Sequence, residues 1–421
     1  MRHFRELPPL SIYIHLPWCL KKCPYCDFNS HEKKAALPET DYVQALLRDL
    51  EQEMPDVWGR TIASVFIGGG TPSLFSANAL DQLLSGVRAL TGLSPDTEVT
   101  LEANPGTFEQ EKFSEFRALG INRLSIGIQS FNDESLHALG RVHNSDEASR
   151  AVDIAHNAGF DRINLDLMFG LPRQSASKAR ADVVTAIAMQ PEHISYYELT
   201  LEPNTLFAKY PPDLPSPDSL EHYQNTGMEL LDVAGYQRYE VSAFAQPKRR
   251  CTHNLNYWQF GDYLGIGAGA HGKISFANTG TIVRRSKHKH PTRYLALAES
   301  TERISTEQTL AEADTALEFM MNALRLKEGF PIPLFEQHTG LSLDRWQNQI
   351  ESAQQAGLLT QSGLSIHPTD TGFRFLNDLL GHFLVTGSDP AGSDPSGSDQ
   401  TGSDLERSYP VIPLVRQPDR H

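Results

Sequence analysis

Cys19-Leu20-Lys21-Lys22-Cys23-Pro24-Tyr25-Cys26 follows directly on a short apolar run at 11–15, and its spacing decides how the chain is read. Three thiolates on one tight loop fall short of the four protein ligands that a structural zinc site takes. They suit three irons of a cubane [4Fe–4S] cluster, since thiolate is the usual protein ligand of such clusters. The fourth iron is then open to an exogenous ligand. A structural metal knuckle, or three unrelated thiols, is the alternative; the rest of the chain agrees with the cluster.

Working outward, the runs 11–15, 64–68, 98–102, 123–128, 162–168 and 193–199 are short, apolar and rich in β-branched residues. Helical patterns separate them at 40–52, 77–90, 107–119, 146–158 and 176–189, and another follows at 218–234. Six βα units with near-continuously apolar strands predict an α/β fold, a parallel sheet covered by helices. An open doubly wound sheet and a barrel both satisfy that pattern, and in both, ligands collect at the C-terminal strand ends. Residues 241–310 read as an irregular connecting region, with Gly-rich YLGIGAGAHG at 263–272 and the basic run RRSKHKHPTR at 284–293. From 311 to 386 helices at 332–339, 342–356 and 370–384, with a hairpin around Gly363, predict a mostly helical, winged-helix-like domain. In residues 387–421 a Gly-Ser-Asp unit repeats over 387–404 with no apolar residue except Ala391, which predicts a flexible acidic tail. Its VIPLV at 411–415 reads as a frayed end rather than a docking peptide.

Composition narrows the class. The net charge of −15 argues against a nucleic-acid partner. No apolar stretch approaches the ~18 residues of a membrane helix, and the first ten residues, broken by Pro8 and Pro9, do not read as a signal peptide. Four cysteines, three of them clustered, suit a reducing compartment. The expectation is a soluble cytoplasmic protein.

Polar residues recur at the strand ends. Gly68-Gly69-Gly70-Thr71-Pro72 ends the second strand in a glycine turn that reads as a cradle, its amides free to approach a polar ligand. Glu102 ends the third strand, Gln129 the fourth and Asp166 the fifth, and Arg141 lies beyond the helix after the fourth. Each alone could cap a helix or pair locally. Together on one rim they could bind an amine, a carboxylate and ribose hydroxyls.

CLKKCPYC, GGGTP, LEANP, SIGIQSF and DLMFGLP together resemble the radical S-adenosylmethionine (SAM) superfamily, over roughly residues 10–385. The branch is the one that contains oxygen-independent coproporphyrinogen III oxidase and heme chaperones. The resemblance implies a partial (βα)6 barrel in which SAM chelates the open iron of a [4Fe–4S] cluster held by Cys19, Cys23 and Cys26. It implies that Tyr13, Gly69 and Glu102 contact this SAM. It implies that Tyr25, Gly70, Thr71, Gln129, Arg141, Asp166 and Thr200 line a second SAM site.

Within the branch, the oxidase pattern carries a further cysteine where this chain has Phe28, and a longer segment before its cysteines than the 18 residues here. His253-Asn254-Leu255-Asn256-Tyr257-Trp258 resembles the H-N-x-x-Y-W motif of the chaperone side. The expectation is therefore a heme chaperone, with heme as cargo and membrane-bound respiratory apoproteins as acceptors at the inner face of the cytoplasmic membrane. Such a protein would associate with the membrane transiently; a homodimer is left open. Coproporphyrinogen III oxidase is the alternative, and an RNA-modifying enzyme is disfavoured by the acidic charge. His253 and His271 are the candidate heme ligands, imidazole being a standard axial ligand. Arg284, Arg285, Lys287, Lys289 and Arg293 read as a solvated face or as partners for heme propionates, and Cys251 as a buried or incidental thiol.

Overall fold

The computed structural model describes residues 2–106 and 112–384. The tail expected at 387–421, and the first turn of the helix expected at 107–119, lie outside the described residues.

Six parallel strands are hydrogen-bonded in chain order: β1 (Leu10–Leu16), β2 (Ile62–Gly69), β3 (Glu98–Ala103), β4 (Arg123–Gln129), β5 (Arg162–Phe169) and β6 (His193–Glu198). Ile12, Ile14, Val65, Ile67, Leu101, Ile126 and Leu165 are fully buried, as a sheet covered by helices requires. The covering helices are α1 (Glu39–Val57), α2 (Ala77–Thr91), α3 (Phe113–Ala118), α4 (Asp133–Ala138), α5 (Ser145–Asn157), α6 (Ala176–Ala188) and α7 (Pro217–Val233). Local signals set their starts. Ser76, Ser175 and Ser216 each accept a first-turn amide of the helix that follows, and Asn144 with Glu147 forms a reciprocal capping box.

The six strands form the middle of a twelve-stranded sheet. Beyond β6 lie β7 (Gln237–Arg238) and β8 (Ala243–Ala245). On the other flank β9 (Asp262–Ile266) pairs parallel with β1, and β10 (His271–Phe276), β11 (Thr281–Lys287) and β12 (Ile304–Thr309) continue antiparallel. The order is β12-β11-β10-β9-β1-β2-β3-β4-β5-β6-β8-β7, so the sheet is an open, partial barrel. Where the sequence suggests an irregular connector at 241–310, five ordered strands, β8 to β12, belong to the sheet, interrupted by helices α8 (Thr252–Trp258) and α9 (Pro291–Leu297).

The basic run divides: Lys289 and Arg293 are exposed beyond the strand, as a solvated face, whereas Arg284, Arg285 and Lys287 are not. These three lie on β11, and their charges are matched by carboxylates distant in sequence. Lys287 Nζ reaches Asp49 Oδ1 and Glu53 Oε1, each at 2.6 Å. Arg303 Nε donates to Asp49 at 2.8 Å, the Tyr294 hydroxyl donates to the other oxygen of Asp49 at 2.8 Å, and Arg285 binds Glu53 and Asp56. Arg284 pairs with Glu318. With these partners, Arg284, Arg285 and Lys287 are engaged in fastening the sheet extension to α1 and to the C-terminal region.

That region begins with α10 (Glu312–Ala323) and continues through β13 (Phe330–Pro331), α11 (Ile332–Thr339), α12 (Gln347–Gln355), the hairpin β14 (Leu359–Ser362) and β15 (Ser365–Pro368), α13 (Asp370–Arg374) and α14 (Leu376–Gly381). Its three strands pair in the order β13-β15-β14, the winged-helix-like arrangement expected. Phe319 anchors a second core, its ring meeting Phe330, Phe335 and Phe260 edge-on at 4.9, 5.0 and 5.8 Å. Among the described residues no helix is long and apolar enough to cross a membrane.

Asp49 is fully buried beneath Lys287 and Arg303. Asp49→Ala leaves Glu53 as the one carboxylate for these two cations among the described residues and should lower stability by about 3 kcal/mol or more. The fall in urea midpoint at constant m-value measures it.

Candidate functional site

The chain leaving β1 runs through Pro17 and Trp18 into the cysteine loop. Trp18–Cys19 pairs with His31–Glu32, and the His31 and Lys33 amides donate to the Pro17 and Cys19 carbonyls at 2.7 and 2.8 Å. The Cys26 amide closes a turn on the Cys23 carbonyl, and the Phe207 amide holds the Pro24 carbonyl at 3.0 Å. Cys19, Cys23 and Cys26 are therefore three free, half-buried thiols on a loop pinned at both ends. All three line one cavity of about 350 Å³. Burial pushes the Cys19 and Cys26 thiols up, so their thiolates require a cationic partner, such as iron would supply.

The glycine turn plays a different part from the cradle its sequence suggests. Its three amides are all taken inside the protein. Gly69 N–H donates to Glu102 Oε2 at 3.0 Å, Gly70 N–H to the Leu16 carbonyl at 2.9 Å, and Thr71 N–H to the Trp18 carbonyl at 2.7 Å. Gly69 sits at φ +122°, and a Cβ there would stand 2.8 Å from the His15 ring; at Gly70 it would stand 2.5 Å from the Trp18 carbonyl oxygen. Glycine is needed so that the end of β2 can press against the backbone carrying Cys19. Gly69, Gly70 and Thr71 still line the cavity.

Around the same cavity stand Glu102, Gln129, Arg141, Asp166, Tyr25 and Thr200, so these expected residues do converge. Glu102 is the most perturbed carboxyl among them, its pKa pushed up to about 8 by burial and by Asp166 nearby, against the Gly69 amide. Burial also raises Asp166, which accepts from Asn164 Nδ2 at 2.8 Å and from the Ser125 hydroxyl at 3.3 Å. Arg141 is held by Asn104 Oδ1 at 2.6 Å and the Gly127 carbonyl at 2.8 Å, while its buried Nε has no partner. Gln129 has φ +68° at a register shift between β4 and β5, a left-handed conformation that a non-glycine residue rarely adopts. Its Oε1 accepts from the Tyr197 hydroxyl at 2.8 Å.

Three expected residues are not among those lining the cavity. Tyr13 lies behind the glycine turn, its hydroxyl 2.9 Å from His15 Nδ1 and its ring stacked on Phe66. His253, on α8, bonds Ser64 Oγ through Nδ1 at 3.0 Å and faces Phe66; burial lowers its pKa to about 4. His271 is exposed at the start of β10. Cys251 is buried, its Sγ 3.6 Å from Glu98. Sequence reasoning missed Asn104, although it stands inside LEANP, and Arg325, which has no local motif and reaches the cavity from the C-terminal region.

Whether the residues fit the implied groups follows from their chemistry. Among the described residues no three His, Cys, Asp or Glu converge on a single metal ion. The donor set fits a cluster instead, whose separate irons take one thiolate each. The adjoining carboxyls, amide and guanidinium offer partners for the amine, carboxylate and hydroxyls of SAM.

Comparison with known proteins agrees. The radical SAM superfamily model matches residues 13–183, and that of the HemN C-terminal domain matches residues 310–375. Heme chaperone HemW of Haemophilus influenzae is 49% identical over 383 residues, covering 90% of this chain and 99% of its own. Its Escherichia coli and Bacillus subtilis counterparts are 48% and 33% identical, covering 90% and 89% of this chain and 99% of each of theirs. The chain belongs to the HemW family. The HemW fold here is also that of the radical SAM enzyme coproporphyrinogen III oxidase (HemN) from E. coli, at a TM-score of 0.77 and 22% identity, with 90% of each chain covered.

In this HemW-family site the proton on Glu102 gives a direct test. Its folded pKa lies near 8 and the ordinary value near 4.5, so its contribution is most favourable below pH 4.5 and is lost as pH rises toward 8. Glu102→Gln keeps an acceptor for the Gly69 amide without that loss. In the metal-free protein the variant should gain on wild type by up to about 1.4 kcal/mol per pH unit across this window, measured by urea denaturation at pH 5, 6.5 and 8.

Proposed function

We propose that the chain is a heme chaperone. It holds a [4Fe–4S] cluster on Cys19, Cys23 and Cys26, takes SAM into the adjoining cavity, binds heme, and passes heme to respiratory apoproteins at the inner face of the cytoplasmic membrane. The observation that carries this reading is the convergence of three thiols and a polar rim on one cavity, in a chain about half identical to proteins named heme chaperones.

When bound, a cluster with one open iron can supply an electron to SAM. The chain's own residues place and shield the ligands. Glu102, beside the Gly69 amide, suits the ammonium group of SAM; a cation there favours its ionised form and releases the proton it holds near neutral pH. Arg141, fixed by Asn104 and Gly127, keeps its Nε for an anionic group. Tyr25, Gly70, Thr71, Gln129, Asp166 and Thr200 line the part assigned to a second SAM. Tyr13 acts from behind, through His15, which backs Gly69. Of the two candidate heme ligands, His271 offers the accessible imidazole and His253 the buried, neutral one.

Oxygen-independent coproporphyrinogen III oxidase is the second reading. It is disfavoured by Phe28, which lines the cavity, 61% exposed, where the oxidase pattern has a cysteine.

Two experiments test the proposal. After anaerobic reconstitution, Cys23→Ser should lose the visible absorbance of the cluster; unchanged absorbance would remove Cys23 from the ligand set. Supplied with SAM, reductant and coproporphyrinogen III, the reconstituted protein should form no protoporphyrinogen, yet retain one heme per chain and transfer it to an apo-cytochrome. Protoporphyrinogen appearing with 5′-deoxyadenosine would establish the oxidase instead.

A further inference from the structure

One wall of the cavity carries a positive charge that the SAM and cluster assignments leave unused. Arg325 follows α10 and is strapped to the barrel, with Leu326 bridged to Glu240 and the Lys327 amide donating to the Tyr239 carbonyl. Its side chain lines the cavity that the three cysteines share, yet is only 8% exposed as a residue. Its guanidinium lies 4.6 Å from the centre of the Trp258 ring, the last residue of the HNLNYW motif.

The hydrogen bonding of this guanidinium is incomplete. Its contact with Glu240 Oε2 is long, at 3.4 Å, and its buried Nε has no partner. The buried Trp258 Nε1 beside it has none either. Glu240 is also shared, because its other oxygen takes the Ser242 amide at 2.9 Å and its field acts on Arg238. Arg238 donates to the Glu240 and Val241 carbonyls and to the Met228 sulfur, and pairs with no carboxylate among the described residues. Glu198 and Glu202 line the cavity but stand outside ion-pair distance of Arg325. A buried guanidinium, that of Arg325, and a half-buried one, that of Arg238, thus face one carboxylate, and a buried charge left this short of partners calls for an anion. A guanidinium braced over an indole keeps its planar fork for a planar, bidentate acceptor, and a carboxylate is that acceptor.

We propose that Arg325, braced by Trp258 and Glu240, binds a carboxylate of a tetrapyrrole in this cavity, namely a propionate of heme. The inference rests on the heme-cargo reading above and places the propionate, not the iron, in this cavity, since neither His253 nor His271 lines it. SAM also carries a carboxylate, so the test separates the two sources.

Affinity is measured for heme, for heme dimethyl ester and for SAM, with wild type and Arg325→Gln. Wild type should bind heme about tenfold more tightly than the ester, the scale of a charge-assisted hydrogen bond. Arg325→Gln should bind heme and ester alike, at the weaker value, with SAM affinity unchanged. Arg325→Lys, which keeps the charge and loses the fork, should fall between. If the glutamine variant keeps the full preference for heme, or loses SAM while heme affinity stands, the assignment is overturned. A wild type that binds neither porphyrin defeats the cargo reading, and the assignment falls with it; wild-type heme binding with an unaffected variant defeats the assignment alone. Should Arg325→Gln not fold, the wild-type ratio still decides, and a ratio near one overturns the proposal.

Discussion

Three consecutive amides, those of Gly69, Gly70 and Thr71, hold the site together. They tie the end of β2 to Glu102 on β3 and to the backbone between Leu16 and Trp18, so one turn sets the separation of the cysteine loop from the polar rim. The contact is tight enough that a methyl group on either glycine would meet the His15 ring or the Trp18 backbone. Preorganisation of this kind fixes where the cysteine loop stands relative to the rim. The backbone bonds that hold the loop leave its thiols out, and of the thiols Cys23 Sγ accepts from Arg141 at 3.7 Å.

The rim is built on the opposite principle, with charge held where solvent is scarce. Glu102 and Asp166 are both raised by burial, and each is steadied by donors behind it: the Gly69 amide for one, Asn164 and Ser125 for the other. Arg141 is fixed on its amide side and open at Nε. Gln129 adopts a strained backbone at a register shift, a conformation that persists only when its surroundings over-determine it. These groups are poised for a ligand that brings both signs of charge, as an amino acid moiety does.

Much of this was legible in the sequence, because the six central strands are continuous apolar runs and their polar residues stand at the ends. The flank from Asp262 to Thr309 was not legible. Its glycines read as a loop, and the charges of Arg284, Arg285 and Lys287 read as solvated, since Asp49, Glu53 and Glu318 are far away in sequence. The GGG turn was recognised but its role misread: a string of glycines says that something comes close, and does not say whether that is a ligand or the protein's own backbone. Arg325 was invisible because its setting exists only once Glu240 and Trp258 are folded beside it.

β1 bears on the order in which the molecule is made. The strand that leads into the cysteines has one neighbour near in sequence, β2, and another, β9, that begins at Asp262. During synthesis the cysteines emerge early, but one edge of their supporting strand stays unpaired until some 240 further residues have followed. The wall that carries Arg325 arrives later still. Non-local pairing of this kind is slow, so a nascent chain exposes its thiols well before the cavity that shelters them exists. Shelter for the three thiols is thereby coupled to residues made much later, and a chain truncated before Asp262 would carry the thiols without it.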